Sequence, residues 1–148
     1  MSTFNLRYDI ESPTHLVGQV ADSRLTQTIT TVAAGTVAFG QPVGYDNQLL
    51  DSDAPMKGVA RLDITLEQTD AGVVNYVSGD SMPLVMSGPI WVTTDSAVAA
   101  GAAAYVTVAT GLFTATASGA TTTNAVGFFE TATTGAGDAV LYVQRGGL

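Results

Sequence analysis

The chain has 148 residues, 46% hydrophobic and only 12% charged, and thirteen acidic against five basic residues give a formal charge of −8. That acidity repels a phosphate backbone and excludes nucleic acid as a partner. The absence of cysteine removes disulfides, thiolate nucleophiles and cysteine metal clusters, and leaves the redox compartment open.

Taken in chain order, Phe4, Leu6, Tyr8 and Ile10 alternate with Asn5, Arg7, Asp9 and Glu11, which sets four large apolar groups on one face of an extended strand. Ser12-Pro13 ends it, because proline has no amide donor and turns its predecessor away from helix. No basic stretch followed by an apolar core opens the chain, and the longest apolar run, residues 97–106, falls far short of the ~20 residues of a membrane span. The reading is a soluble chain without the usual export signal or a membrane partner, with residues 1–24 an extended N-terminal arm and 25–148 a single body.

Within the body, residues 26–32 and 37–43 are expected as strands, and the polar stretch 45–57 as a surface loop. Residues 58–62, 64–66 and 73–77 resume strand patterning before the Ser78-Gly-Asp80 turn. Strands at 83–86 and 90–93 are separated by Ser87-Gly88-Pro89, which predicts a tight turn between neighbours. Asp95 or Ser96 could cap one helical turn over 97–100, ended by Gly101. The clearest hairpin joins 104–109 to 112–117 through Thr110-Gly111, and 126–130 and 139–144 complete the set around a 135–137 turn. Three segments share one device, an Ala-Gly step before an apolar run ending in an aromatic: Val32-Ala-Ala-Gly35-Thr-Val-Ala-Phe39, Val98-Ala-Ala-Gly101-Ala-Ala-Ala-Tyr105 and Thr134-Gly-Ala-Gly137-Asp-Ala-Val-Leu-Tyr142. The fold class is all-β, a single β-barrel or jelly-roll-like sandwich.

Residues able to do chemistry are few. His15 is the only histidine and sits in the arm, a poor place for a preorganised base. Ser78-Gly-Asp-Ser81 resembles the nucleophile block of one esterase family, but that family carries its histidine downstream and none follows His15. Asp46, Asp51 and Asp53 could offer oxygens to calcium, yet the glycine and terminal glutamate of an EF-hand loop are missing. Asp63, Glu67 and Asp70 read as solvated charges. Trp91, between Ile90 and Val92, reads as core rather than as a sugar platform. No catalytic, cofactor-binding or metal-binding residue is assigned, and the chain is read as no enzyme.

The arm is the sharper feature. Burying Phe4, Leu6, Tyr8 and Ile10 is worth roughly 6 to 12 kcal/mol gross, while fixing about eight backbone residues costs roughly 8 to 16 kcal/mol. The near balance predicts that the arm orders only where a sheet edge or groove, on its own body or a neighbouring chain, also satisfies its backbone. An ordinary first strand within the same subunit is the plainer alternative.

The order of segments is similar to that of the structural cement, or capsid decoration, proteins of tailed bacteriophages. The resemblance rests on Gly18-Gln-Val-Ala-Asp22 after a short arm, Phe39-Gly40 with Pro42-Val43, Gly58-Val59, Gly88-Pro-Ile-Trp-Val92, and Ala97-Val-Ala-Ala-Gly101 before Tyr105-Val106. Thr110-Gly-Leu-Phe-Thr114, Asn124-Ala-Val-Gly127 and Gly135-Ala-Gly-Asp138 complete it. It implies a β-barrel or jelly-roll-like body, made in the host cytoplasm, that binds the outer surface of an assembled head. There it would bridge major capsid protein subunits, as a homo-dimer or homo-trimer. The alternative from another class is a recognition module for carbohydrate or a host surface, displaying Trp91, Tyr76 or Tyr105.

Overall fold

The structure, a computed structural model, describes residues 16–22, 24–62, 75–108 and 110–144. Ten strands follow one another: β1 (Gln27–Val32), β2 (Val37–Ala38), β3 (Pro42–Gly44), β4 (Met56–Ala60), β5 (Asn75–Tyr76), β6 (Ser81–Thr94), β7 (Ala103–Thr107), β8 (Leu112–Thr114), β9 (Gly127–Phe129) and β10 (Gly137–Val143). The described residues contain no helix, as a chain rich in β-branched residues and interrupted by glycine dictates.

Five strands close a barrel. β6 pairs with β10, β10 with β9, β9 with β7 and β7 with β8, and β8 returns to β6 in parallel through Phe113 and Thr94. Closure leaves these strands no open edge. A second sheet, β1-β6-β4-β3, grows from the first half of β6. The β2–β5 ribbon packs Val37 and Tyr76 onto it.

The long strand β6 serves both sheets and both cores. Met82 and Leu84 join Ala33, Val37, Val43, Ala60 and Tyr76 in the core of the second sheet. Val85, Ile90 and Val92 join Phe113, Phe129, Leu141 and Val143 in the barrel core. Ser87-Gly88-Pro89 is therefore no turn between two strands, contrary to the expectation above, but a bend inside one. Gly88 has φ +132°, and a Cβ there would stand 2.8 Å from Thr26 Oγ1, so glycine alone lets the strand leave one sheet for the other. Pro89 lies opposite Tyr142, and its carbonyl accepts from Ala21 N at 3.1 Å. Its missing N–H therefore faces residue 21, and no bond to β10 is lost.

Residues 18–21 run antiparallel along this bend: Gly18 N donates to Trp91 O, and Trp91 N to Gln19 O. The expected 37–43 strand is broken into β2 and β3 by a turn at Phe39-Gly40, where Gly40 has φ +79°. No helical turn forms over 97–100. Val98 instead bridges to Thr133, and Ala102 N closes a turn on Ala99 O. The 104–117 hairpin forms, but not around the expected two-residue connection: Thr107 lies opposite Leu112 and Val106 opposite Phe113, so four residues, 108–111, join its strands and the register differs by two from the one a Thr110-Gly111 turn would set. β9 and β10 pair as expected, with Leu141 opposite Phe129. The three Ala-Gly steps each precede a strand, yet only Gly101 among those glycines has a positive φ, +86°. They are thus not one repeated turn.

Threonine, unusually abundant, contributes to the interior through its hydroxyl. Thr94 donates to Gly137 O at 3.0 Å and accepts from Gly137 N, tying β6 to the start of β10. Buried Thr122 donates to Asn124 O at 3.1 Å and accepts from Val106 N, so its burial costs no unpaired polar group.

Candidate interaction surfaces

The predicted arm residues Phe4, Leu6, Tyr8 and Ile10 lie outside the described residues, as do His15, Asp63, Glu67 and Asp70. Ser78-Gly-Asp-Ser81 is a turn: Asp80 accepts from Val77 N at 2.9 Å, and exposed Ser81 opens β6 opposite Val32. Asp46 accepts from Gln48 N, while Asp53 reaches across the molecule to Thr123. Among the described residues no three His, Cys, Asp or Glu side chains converge as metal ligands. Tyr76 is fully buried and donates to Arg61 O, with the Phe39 ring edge-on at 5.3 Å. Trp91 and Tyr105 are half-buried. Trp91 is thus outside the fully buried core expected for it, because strand alternation gives that face to Ile90 and Val92.

Two features of the surface escaped the sequence. The first is an open cleft of about 350 Å³ between the 45–57 and 122–126 segments, with Met56, Met86, Val126 and Val143 among its apolar lining and Tyr45 and Lys57 among its polar lining. Asp53 straps the two segments together, accepting from Thr123 N at 2.8 Å and from the Thr123 hydroxyl. Those two donors hold its carboxyl below the usual carboxylate range. Lys57 is held by Asn47 Oδ1 at 2.9 Å and Thr31 Oγ1 at 3.3 Å. The cleft joins residues distant in the chain, so no local pattern announced it.

The second feature is a clasp where the chain passes from residues 18–21 to β1. Arg24 lies over the Tyr142 ring, 5.3 Å from its centroid, and Tyr142 stacks on Phe128 at 5.4 Å. The same guanidinium pairs with Asp22 and, from β9's end, with Glu130, Nη1 to Oε1 at 2.6 Å. Glu130 and Asp22 hold the guanidinium proton more tightly than usual, and Arg24 in turn holds the Asp22 carboxyl below its ordinary range. Asp22 and Arg24 stand two apart in the sequence, a visible hint of pairing. Glu130, distant in sequence, had none.

The described residues thus form a closed barrel with a strapped cleft and a clasped strand entry. The polar groups described are engaged in holding loops and strands together. No curated protein matches the chain. One family model does, that described as structural cement protein (E217 gp24/Pam3 gp6), over residues 4–145. With a β-barrel and nearly its whole length matched, the chain belongs to the phage structural cement proteins, whose role is to stabilise the capsid of the virion.

Proposed function

We propose that this protein binds the outer surface of an assembled phage head and stiffens it by bridging major capsid protein subunits and neighbouring copies of itself. Membership of the cement family carries the reading. Charge supports the side of the shell: a formal −8 is repelled by packaged DNA. The residues given a role here are Phe4, Leu6, Tyr8 and Ile10, whose alternating row adds as a strand to an edge on a neighbouring subunit. Each contact is modest, and repetition over a symmetric shell multiplies it. No chemical step is required, and the protein acts as a structural component rather than an enzyme.

Co-sedimentation tests the reading. Purified protein is mixed with undecorated heads of the cognate phage, pelleted, and its stoichiometry read on a gel. Saturable binding at micromolar protein is expected, with a folded chain lacking residues 2–11 binding at least tenfold more weakly. An intact chain left in the supernatant would remove the reading, and a deleted chain that binds normally would remove the arm's part in it.

A further inference from the structure

Among the described residues β1, unlike the barrel strands, has an open side. It pairs with β6 from Gln27 opposite Ser87 to Val32 opposite Ser81, and among the described residues no strand pairs with its other edge. Hydrogen-bond parity identifies the outward groups. Arg61 N donates to Pro83 O on the β4 side, so Met82 and Leu84 turn their backbone groups the other way, to their partners Thr31 and Ile29. Ala33 N, of the same parity, donates to Asp80 O. Thr28, Thr30 and Val32 therefore point their N–H and carbonyl groups away from β6, and all three are exposed.

Natural edges are guarded by charge, proline or a bulge. The strand Gln-Thr-Ile-Thr-Thr-Val has no charge and no proline, and its one irregularity of register lies at Gln27/Thr28, at its end. Exposed apolar side chains lie at its two ends, Leu25 just before it at 87% and Val32, its last residue, at 58%. Ile29, which packs against the second core, stays half-buried. Such an edge is a template for one more strand.

We propose that the outward edge of β1 receives residues 4–10 of a second copy of this chain. The segment matches the edge in length, and its row of Phe4, Leu6, Tyr8 and Ile10 would finish the cover over Ile29 while Asn5, Arg7 and Asp9 face water. Every copy carries both donor and acceptor, so reciprocal exchange between two copies closes on itself and leaves neither edge bare. The assignment rests on the arm's bridging role proposed above and names where that bridge lands.

The chain has no cysteine, so disulfide trapping begins from a silent background. Chains carrying Thr30→Cys are mixed with differently tagged chains carrying Asn5→Cys, Arg7→Cys or Asp9→Cys and oxidised under a glutathione couple. At least one pairing is expected to give a mixed disulfide dimer as the main product, well above any single variant alone. Thr30→Pro removes one outward N–H and no bond to β6. It should keep the native circular dichroism and melting midpoint, while the particle mass in solution falls from dimer to monomer. The trap stands independently should that variant misfold. An intact chain monomeric at the trapping concentration, or a chain carrying both cysteines that closes the bond within itself, would overturn the assignment. Capsid binding without the trap removes the β1 edge and leaves the capsid role; the trap without capsid binding does the reverse.

Discussion

At the scale of single residues, two kinds of position hold the molecule: those where nothing larger fits and those that tie distant loops. A Cβ on Gly127 would lie 2.1 Å from the Tyr142 carbonyl oxygen, so β9 approaches β10 only through glycine. Gly127→Ala should destabilise the protein by about 1 to 3 kcal/mol or more, read as a fall in the thermal midpoint; an unchanged midpoint would contradict the close approach. Asp53 and Asp22 illustrate the second kind. Both carboxyls are held low, by Thr123 and Arg24 respectively. A group whose pKa falls on folding stabilises the native state above its unfolded value, near ~3.9, and loses that contribution as pH drops through its folded value. The strap and clasp should thus be intact at neutral pH and release in acid below ~4. Added salt should loosen the exposed clasp further. Amide exchange checks this: the protection factor of Thr123 should fall at least severalfold in Asp53→Ala at neutral pH, and equal protection in variant and parent would remove the strap. Asp53 was visible in the sequence as a possible calcium ligand, but its real partner, a threonine seventy positions away that donates through both its backbone N–H and its hydroxyl, leaves no local trace.

At the scale of elements, strand positions follow from composition and punctuation, whereas strand continuity does not. The 104–117 and 126–144 hairpins are legible because each turn residue sits between runs that must pair with the nearest neighbour. The β6 bend was misread because Ser-Gly-Pro marks a reversal and a kink alike. Which one forms is decided by β10 and residues 18–21, which line up on its second half. Trp91 was misassigned for a related reason: in the strand 90–92 every residue is apolar, and only the register with β10 shows which face is inward. If the bend depends on glycine as argued, Gly88→Ala forces a side chain into left-handed backbone space against Thr26. It should cost about 1 to 3 kcal/mol, with backbone amides at both 81–87 and 88–94 losing protection together. Loss confined to one half would mean that β6 is two independent strands.

At the scale of the whole molecule, the fold class was legible in a β-branched, glycine-punctuated composition with few charges, and the family in the order of short segments that resembles the cement proteins. The surface features were legible only in part: the alternating row Phe4, Leu6, Tyr8 and Ile10 is written in the sequence, while the cleft and the clasp join segments distant in the chain. That division is physical, since a strand's faces are written in its own residues and a cleft belongs to several segments at once. The account's central claim is that decoration of the head adds mechanical resistance through many repeated weak contacts. Its most direct test is the temperature at which DNA-filled heads release their genome, followed with a DNA-binding dye, for bare heads and for heads saturated with this protein. The account predicts a higher release temperature that climbs with occupancy of the shell; the same release temperature at full occupancy would contradict it.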